Sequence, residues 1–195
     1  GFNNLLISPN GQTHRKLTRF AFENIGHPFQ PFIFGQRSVG PKIALQHDIQ
    51  LIFYGENVAE YGNNIQDNYS PIMNPHLYTC YNIDDQETRL GGMRIKDLYE
   101  QYGFKRNDLI PYRSPKLETV SASGLQVHYM SYYRKWVPQE NFYYAMKNTM
   151  FEPAETRTTG SYSKYSGLDD KLEWLHFYMM FIKFGMGRAT ADAAQ

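Results

Sequence analysis

Gln50-Leu51-Ile52-Phe53-Tyr54-Gly55-Glu56-Asn57 is the stretch on which the reading of the fold turns. Four apolar or aromatic residues run together and stop at a glycine, followed by an acid and an amide. A short apolar run closed by a turn signal predicts a buried strand of a parallel sheet. In open α/β sheets, ligands sit beyond the carboxyl ends of such strands, where loop amides and helix starts converge. Gly55, Glu56 and Asn57 stand at that place, followed by Glu60, Tyr61 and Gly62. A tight strand-to-helix turn with solvated polar residues accounts for the same pattern, and spacing alone favours neither.

Upstream, Leu5-Leu6-Ile7 is predicted as a short strand stopped by Ser8-Pro9-Asn10-Gly11. A helix over Thr13–Asn24 should follow, with Thr13 as N-cap, Leu17, Phe20 and Ala21 on one face, and Gly26 closing it. His14, Arg15, Lys16 and Arg19 make its first turns basic, which reads as a solvated face, with a phosphate-facing helix start as the alternative. Pro28 to Pro31 reads as a linker, and a second helix is expected over Gly35–His47, facing Val39, Ile43 and Ala44 inward and kinked at Gly40-Pro41. The order strand, helix, helix, strand predicts an α/β fold with a parallel sheet. A chain that opens on a strand and holds only two clear parallel strands reads as the carboxyl-terminal part of a longer protein.

Downstream, Asn82 to Thr88 carries three carboxylates and reads as a solvated loop more readily than as a metal site. Helices are expected near Met93–Tyr102 and over Arg106–Tyr112, the latter capped by Asn107 or Asp108. Leu125–Met130 alternates like a half-buried strand with His128, a structural residue, on its more polar face. Pro138 should open a helix over Gln139–Met150, and a loop over Glu152–Gly167 leads to the longest helix, Leu168–Phe184. That last segment is apolar around most of its circumference, which predicts burial on several sides. Its polar stripe is Asp169, Glu173, His176 and Lys183. The expected division is residues 1–66 as α/β domain and 67–195 as a mostly helical region.

The totals narrow the function. Lys and Arg number 20 against 19 Asp and Glu, a balance that argues against a nucleic-acid-binding domain. Cys80 is alone, so the chain holds no disulfide framework of its own and no cysteine zinc site, and a reduced, cytoplasmic setting is the default. No segment has the apolar length to span a membrane.

Three segments carry a resemblance. They are Pro41-Lys42-Ile43-Ala44 leading into Leu51–Asn57 with Glu60-Tyr61-Gly62, then Tyr162–Lys171, then Ile182-Lys183-Phe184-Gly185-Met186-Gly187-Arg188-Ala189-Thr190. Together they resemble the N-acetyl sugar amidotransferase family of lipopolysaccharide, O-antigen and flagellin-sugar biosynthesis, of the WbpG and PseA type. The resemblance implies the adenine-nucleotide α-hydrolase-like fold of the PP-loop ATP pyrophosphatases, in its carboxyl-terminal part, with a largely helical region after it. It implies conversion of an acetamido sugar to an acetamidino sugar. ATP would adenylate the amide oxygen, and ammonia would then displace AMP. The partners implied are a glutaminase resembling that of imidazole glycerol phosphate synthase and its cyclase-like companion.

On the same resemblance, Gly55, Glu56 and Asn57 lie on the nucleotide or substrate side, and Glu60 and Tyr61 meet substrate or Mg²⁺. Lys164, Lys171, Lys183 and Arg188 would hold phosphate or stabilise charge on the activated amide, the catalytic share falling to Lys171, Lys183 and Arg188. Asp169 and Asp170 would orient those cations or carry Mg²⁺. The elbow at Asn57 and the helix at Lys183 are expected to close over one pocket. The family's Ser-Gly-Gly-x-Asp-Ser loop and the cysteine pair before it are absent from these 195 residues, so the chain alone is expected not to turn over ATP. Two alternatives stand beside this reading: a docking module for the ammonia-supplying subunits, and another PP-loop enzyme such as a tRNA modifier. An exposed sheet edge would also permit a homodimer.

Overall fold

The strand at the centre of the sequence reading forms, and its partner comes from far downstream. β1, Leu51–Tyr54, pairs in parallel with β4, Gln126–Tyr129, in the register Leu51 opposite Gln126 and Tyr54 opposite Tyr129. The structure is a computed structural model and describes residues 3–55, 69–158, 160–168 and 170–194. Its architecture is mixed helix and strand with a two-stranded parallel sheet, compatible with the α/β class.

Leu5-Leu6-Ile7 is not a strand. Residues 3–10 have no regular structure, and Leu5 and Leu6 are 65% and 89% exposed. The sheet takes β4 instead because β4 alternates cleanly, burying Val127 and Tyr129 while Gln126 faces solvent. β1 is also not buried on both faces: Leu51 and Phe53 are about half exposed, while Ile52 and Tyr54 pack inward. A sheet covered on one side needs this alternation even where the sequence is continuously apolar.

Helix α1 runs Gly11–Ile25. Its N-cap is Asn10, not Thr13: Asn10 Oδ1 accepts from the N–H groups of Gln12 at 2.9 Å and Thr13 at 3.1 Å. Asn10 begins the helix three residues earlier than expected, and its carboxamide occupies two of the N–H donors at the helix start. Gly26, at φ 60°, ends the helix as expected, and Leu17 and Ala21 are buried.

Helix α2 runs Gln30–Gln46 and absorbs the stretch read as a linker, because Pro31 sits in the first turn, where its missing N–H costs nothing. Pro41 remains inside the helix. It has no N–H for the Arg37 carbonyl four residues back. The Tyr54 hydroxyl of β1 lies at that gap, 3.0 Å from the Gln36 carbonyl and 3.4 Å from that of Arg37. A Cβ on Gly40 would stand 3.1 Å from the same hydroxyl, so the Gly-Pro pair both opens the gap and admits the group that fills it.

Between the two strands come α3, His76–Thr79; the hairpin β2, Arg89–Leu90, with β3, Met93–Arg94; α4, Ile95–Glu100; α5, Arg106–Leu109, continued by a 3-10 turn to Tyr112; and α6, Leu117–Ser123. α7, Met130–Tyr133, follows β4 directly. α4 is shorter than expected because Met93 and Arg94 are spent in the hairpin. α5 is capped at its start by Asp108, whose carboxylate accepts the Lys105 N–H at 2.8 Å. The acidic loop is structural: Asp84 pairs with Arg106, and Asp85 accepts from the Glu87 N–H and the Thr88 hydroxyl. One core cluster joins Leu17 to Leu90, Ile95, Leu98 and Leu109; the other joins Ala44 to Tyr78, Val120, Val127 and Tyr129.

The chain forms two compact units, Gly1–Arg134 and Lys135–Gln195, so β4 belongs with β1 in a first unit that extends past the division expected after residue 66. The second unit holds α8, Pro138–Asn148; α9, Glu173–Phe184; and α10, Arg188–Ala194. α9 begins at Glu173 rather than Leu168, and at 12 residues it is shorter than α2, at 17. Gly167 takes a left-handed φ of 64°, and the Asp170 carboxylate accepts the Leu172 N–H at 2.7 Å, a local turn that competes with helix. The burial expected of α9 is absent: none of its residues is fully buried, and Trp174, Tyr178, Phe181 and Ile182 are each more than half exposed. No helix among the described residues is long and apolar enough to cross a membrane.

Candidate functional site

The second unit builds a polar cleft from a stitched loop and the ends of two helices. The loop between α8 and α9 is rich in hydroxyls, which bond to one another and to its backbone. Ala154 N–H donates to the Lys164 carbonyl at 2.8 Å, and Thr158 N–H to that of Ser163 at 3.0 Å. The hydroxyls of Ser163 and Ser166 are 2.6 Å apart. These contacts hold the loop in a fixed course without secondary structure.

Gly185, at φ 71°, turns the chain out of α9, so that Arg188 at the start of α10 comes back to the beginning of α9. Its guanidinium contacts Glu173 Oε1 at 3.5 Å, donates to Ser166 Oγ at 3.2 Å and lies 5.1 Å from the centre of the Phe177 ring. Three different groups therefore orient one cation. Arg is suited to this because its planar fork stacks on rings and donates in two directions.

Around Arg188 lies a cleft of about 420 Å³. It brings together Arg188, Arg157 and Lys171 with Thr156, Thr158, Ser161 and Ser166, and is bounded by Asp170, Glu173, Trp174 and Phe177. Cations and hydroxyls converging on one concave surface suit the binding of negative charge more than the movement of protons.

Of the residues expected at a site, Lys171, Arg188 and Asp170 line this cleft. Lys164 does not: its ammonium donates to the Glu155 carbonyl at 2.9 Å and pins the loop. Lys183 does not either; it is exposed and lies over the Phe184 ring at 5.4 Å. Lys183 also acts on His176, whose pKa is held below the ordinary value by burial first and by that lysine's charge second. Gly55 is exposed at the end of β1 in the first unit. Glu56, Asn57, Glu60, Tyr61 and Asp169 lie outside the described residues, and with Asn57 goes the expected closure of the elbow over Lys183.

Arg157 was missed by sequence reasoning, as was the grip of Glu173 and Ser166 on Arg188. The signal for Arg157 was a cation inside Thr156-Arg157-Thr158-Thr159, a hydroxyl-rich setting of the kind that surrounds bound anions. Among the described residues no group of three or more His, Cys, Asp or Glu is placed to hold a metal ion. No protein-family model matches the chain, and no curated protein matches it.

Proposed function

We propose that the chain is part of an ATP-dependent amidotransferase that converts an acetamido sugar to an acetamidino sugar, with ammonia from a partner glutaminase, in a cytoplasmic pathway of surface-polysaccharide or flagellin-sugar synthesis. The observation that carries this reading is the convergence of Arg157, Lys171 and Arg188 with four hydroxyls on one cleft. That donor set fits a phosphate-bearing group. ATP, when bound, supplies activation of the amide oxygen. The chain's own residues bind and orient: Arg188 enters pre-aimed by Glu173, Lys171 adds a mobile point charge, and the Thr and Ser hydroxyls donate to oxygens between them. The parallel pairing of β1 with β4 supports the PP-loop part of the reading. Mg²⁺ would be carried by the nucleotide's phosphates together with carboxylates such as Asp170.

The test uses the full-length protein with the glutaminase, ATP and an acetamido sugar, reading amidine formation by mass spectrometry. Arg188→Ala is expected to lower turnover by about a hundredfold, the usual scale for removing a preorganised charge-stabilising donor. Absence of ATP-dependent amidine formation by the unaltered protein would end the reading.

A second reading is favoured by a different observation. Beyond the cleft lining, α9 exposes Tyr178, Phe181 and Ile182, an apolar surface on a protein of balanced charge. A docking module for the glutaminase and its cyclase-like companion would use it. Phe181→Ala would then abolish association in size-exclusion chromatography, whereas Arg188→Ala would leave association intact.

A further inference from the structure

Arg188 and Ser166 line two clefts at once. On one side is the cation-lined cleft; on the other is a second cleft of about 240 Å³, formed with Val137, Pro138, Gln139, Tyr162, Ser163 and Tyr165. The two have different chemistry. Arg157 and Lys171 join Arg188 in the first, whereas Arg188 is the only charged side chain lining the second among the described residues. The remaining walls are two tyrosine rings, a proline, a valine, one amide and two serine hydroxyls.

The second cleft is also held in shape. The Tyr165 ring stacks on Phe142 at 4.6 Å and 21°, and its hydroxyl donates to Gln139 Oε1 at 3.3 Å. Gln139 lies in the first turn of α8, opened by Pro138, so the amide is fixed by a helix on one side and a tyrosine on the other. With Oε1 engaged, Nε2 is the donor that this amide presents.

We infer that the second cleft receives the ring of a ligand whose phosphate lies in the first, with Arg188 gripping the phosphate where the two clefts meet. The ligand class is a flat-faced ring carrying a phosphate ester. This rests on the phosphate reading of the larger cleft and adds the second half of the molecule. Tyrosine faces stack on either a nucleobase or the apolar face of a pyranose, and the Gln139 amide donates to a ring oxygen or carbonyl. The volume admits one ring, and with Arg188 committed to the phosphate where the clefts meet, the described lining offers no further cation for a second one. Tyr162 and Gln139 are specificity residues on this account, and Arg188 is shared by both halves.

The experiment is titration calorimetry on the whole chain with inorganic phosphate, glucose 1-phosphate and UMP as separate probes. One ring phosphate is expected to bind about tenfold tighter than inorganic phosphate, the scale of a single stacking contact. The tighter of glucose 1-phosphate and UMP identifies the ring as pyranose or base. Tyr162→Ala, at a position 61% exposed and so safe for folding, should remove the ring's advantage while leaving inorganic phosphate unchanged. Gln139→Ala should do so in part, and Arg188→Ala should weaken all three probes. Equal affinity for all probes, or a Tyr162→Ala variant that weakens inorganic phosphate as much as the ring phosphates, overturns the ring site and leaves the anion cleft standing. Failure of the unaltered chain to bind any of the three overturns both.

Discussion

The α-carbon of Gly167 faces the carboxylate of Glu173 so closely that no side chain fits between them. The same carboxylate contacts Arg188 at 3.5 Å, so the loop backbone, the first residue of α9 and the first residue of α10 form one linked assembly. The close approach of Gly167 to Glu173 therefore bears on Arg188 through the carboxylate they share.

Gly167→Ala tests that linkage. The new methyl group would overlap the Glu173 carboxylate and would also sit at φ 64°, where a side chain is strained by about 1–2 kcal/mol. Glu173 must swing away from Arg188. The expected outcome is a several-fold loss of phosphate affinity by calorimetry with a modest loss in stability; unchanged affinity would show that Arg188 is positioned without Glu173.

The cations of the carboxyl-terminal region divide into those lining the cleft and those outside it. Arg157→Ala should weaken binding of inorganic phosphate by about tenfold, as loss of a charge-assisted hydrogen bond does. Lys183→Ala should change it less than twofold, because Lys183 lies over Phe184 and does not line the cleft. The reverse order would move the anion site to the far end of α9.

Asn10→Ala removes the acceptor for two helix-start donors of α1 and should cost about 1 kcal/mol in urea denaturation. Asn10→Ser should recover most of it. If Asn10→Ala is neutral, the cap contributes nothing and the start of α1 is held by packing alone.

Alkaline pH should destabilise the first unit. Burial pushes both Tyr54 and Tyr112 up to about 12 from an ordinary 10.0. Because the folded form holds its phenolic protons more tightly, this stabilisation is complete below pH 10 and is lost as pH rises from 10 toward 12. Denaturation midpoints measured across that window should fall, and Tyr54→Phe should flatten the fall while itself costing about 1 kcal/mol for the lost hydrogen bond. A midpoint that stays level to pH 12 would contradict the burial of both hydroxyls.

Local signals read well from the sequence where they acted through the backbone. Gly26 ends α1, Pro138 opens α8 and Leu125–Met130 contains β4, since φ preference and period-two alternation act over a few residues. Leu5–Ile7 failed because a strand needs a partner edge and residues 3–10 pair with none, while β1 takes its partner from a segment more than seventy residues downstream. The start of α9 failed because Asp170 bonds the Leu172 N–H, a competition that apolar periodicity does not report. At the cleft, Arg188 was singled out with Lys183 from the terminal helix and Lys171 through the resemblance, and both Lys171 and Arg188 line it. Lys164 and Lys183 carried the same charge but are turned to a carbonyl and a ring, and only the folded loop distinguishes the pairs.

Pro41 leaves a defect in α2, and Tyr54 answers it from the sheet. Slide β1 by one position and Phe53 would arrive there instead, a ring with no hydroxyl, while the strand's inner and outer faces exchanged places. The helix's flaw thus serves as an index mark: correct alignment of the strand is checked by a residue outside the sheet, and a misaligned chain is penalised by a carbonyl left unanswered.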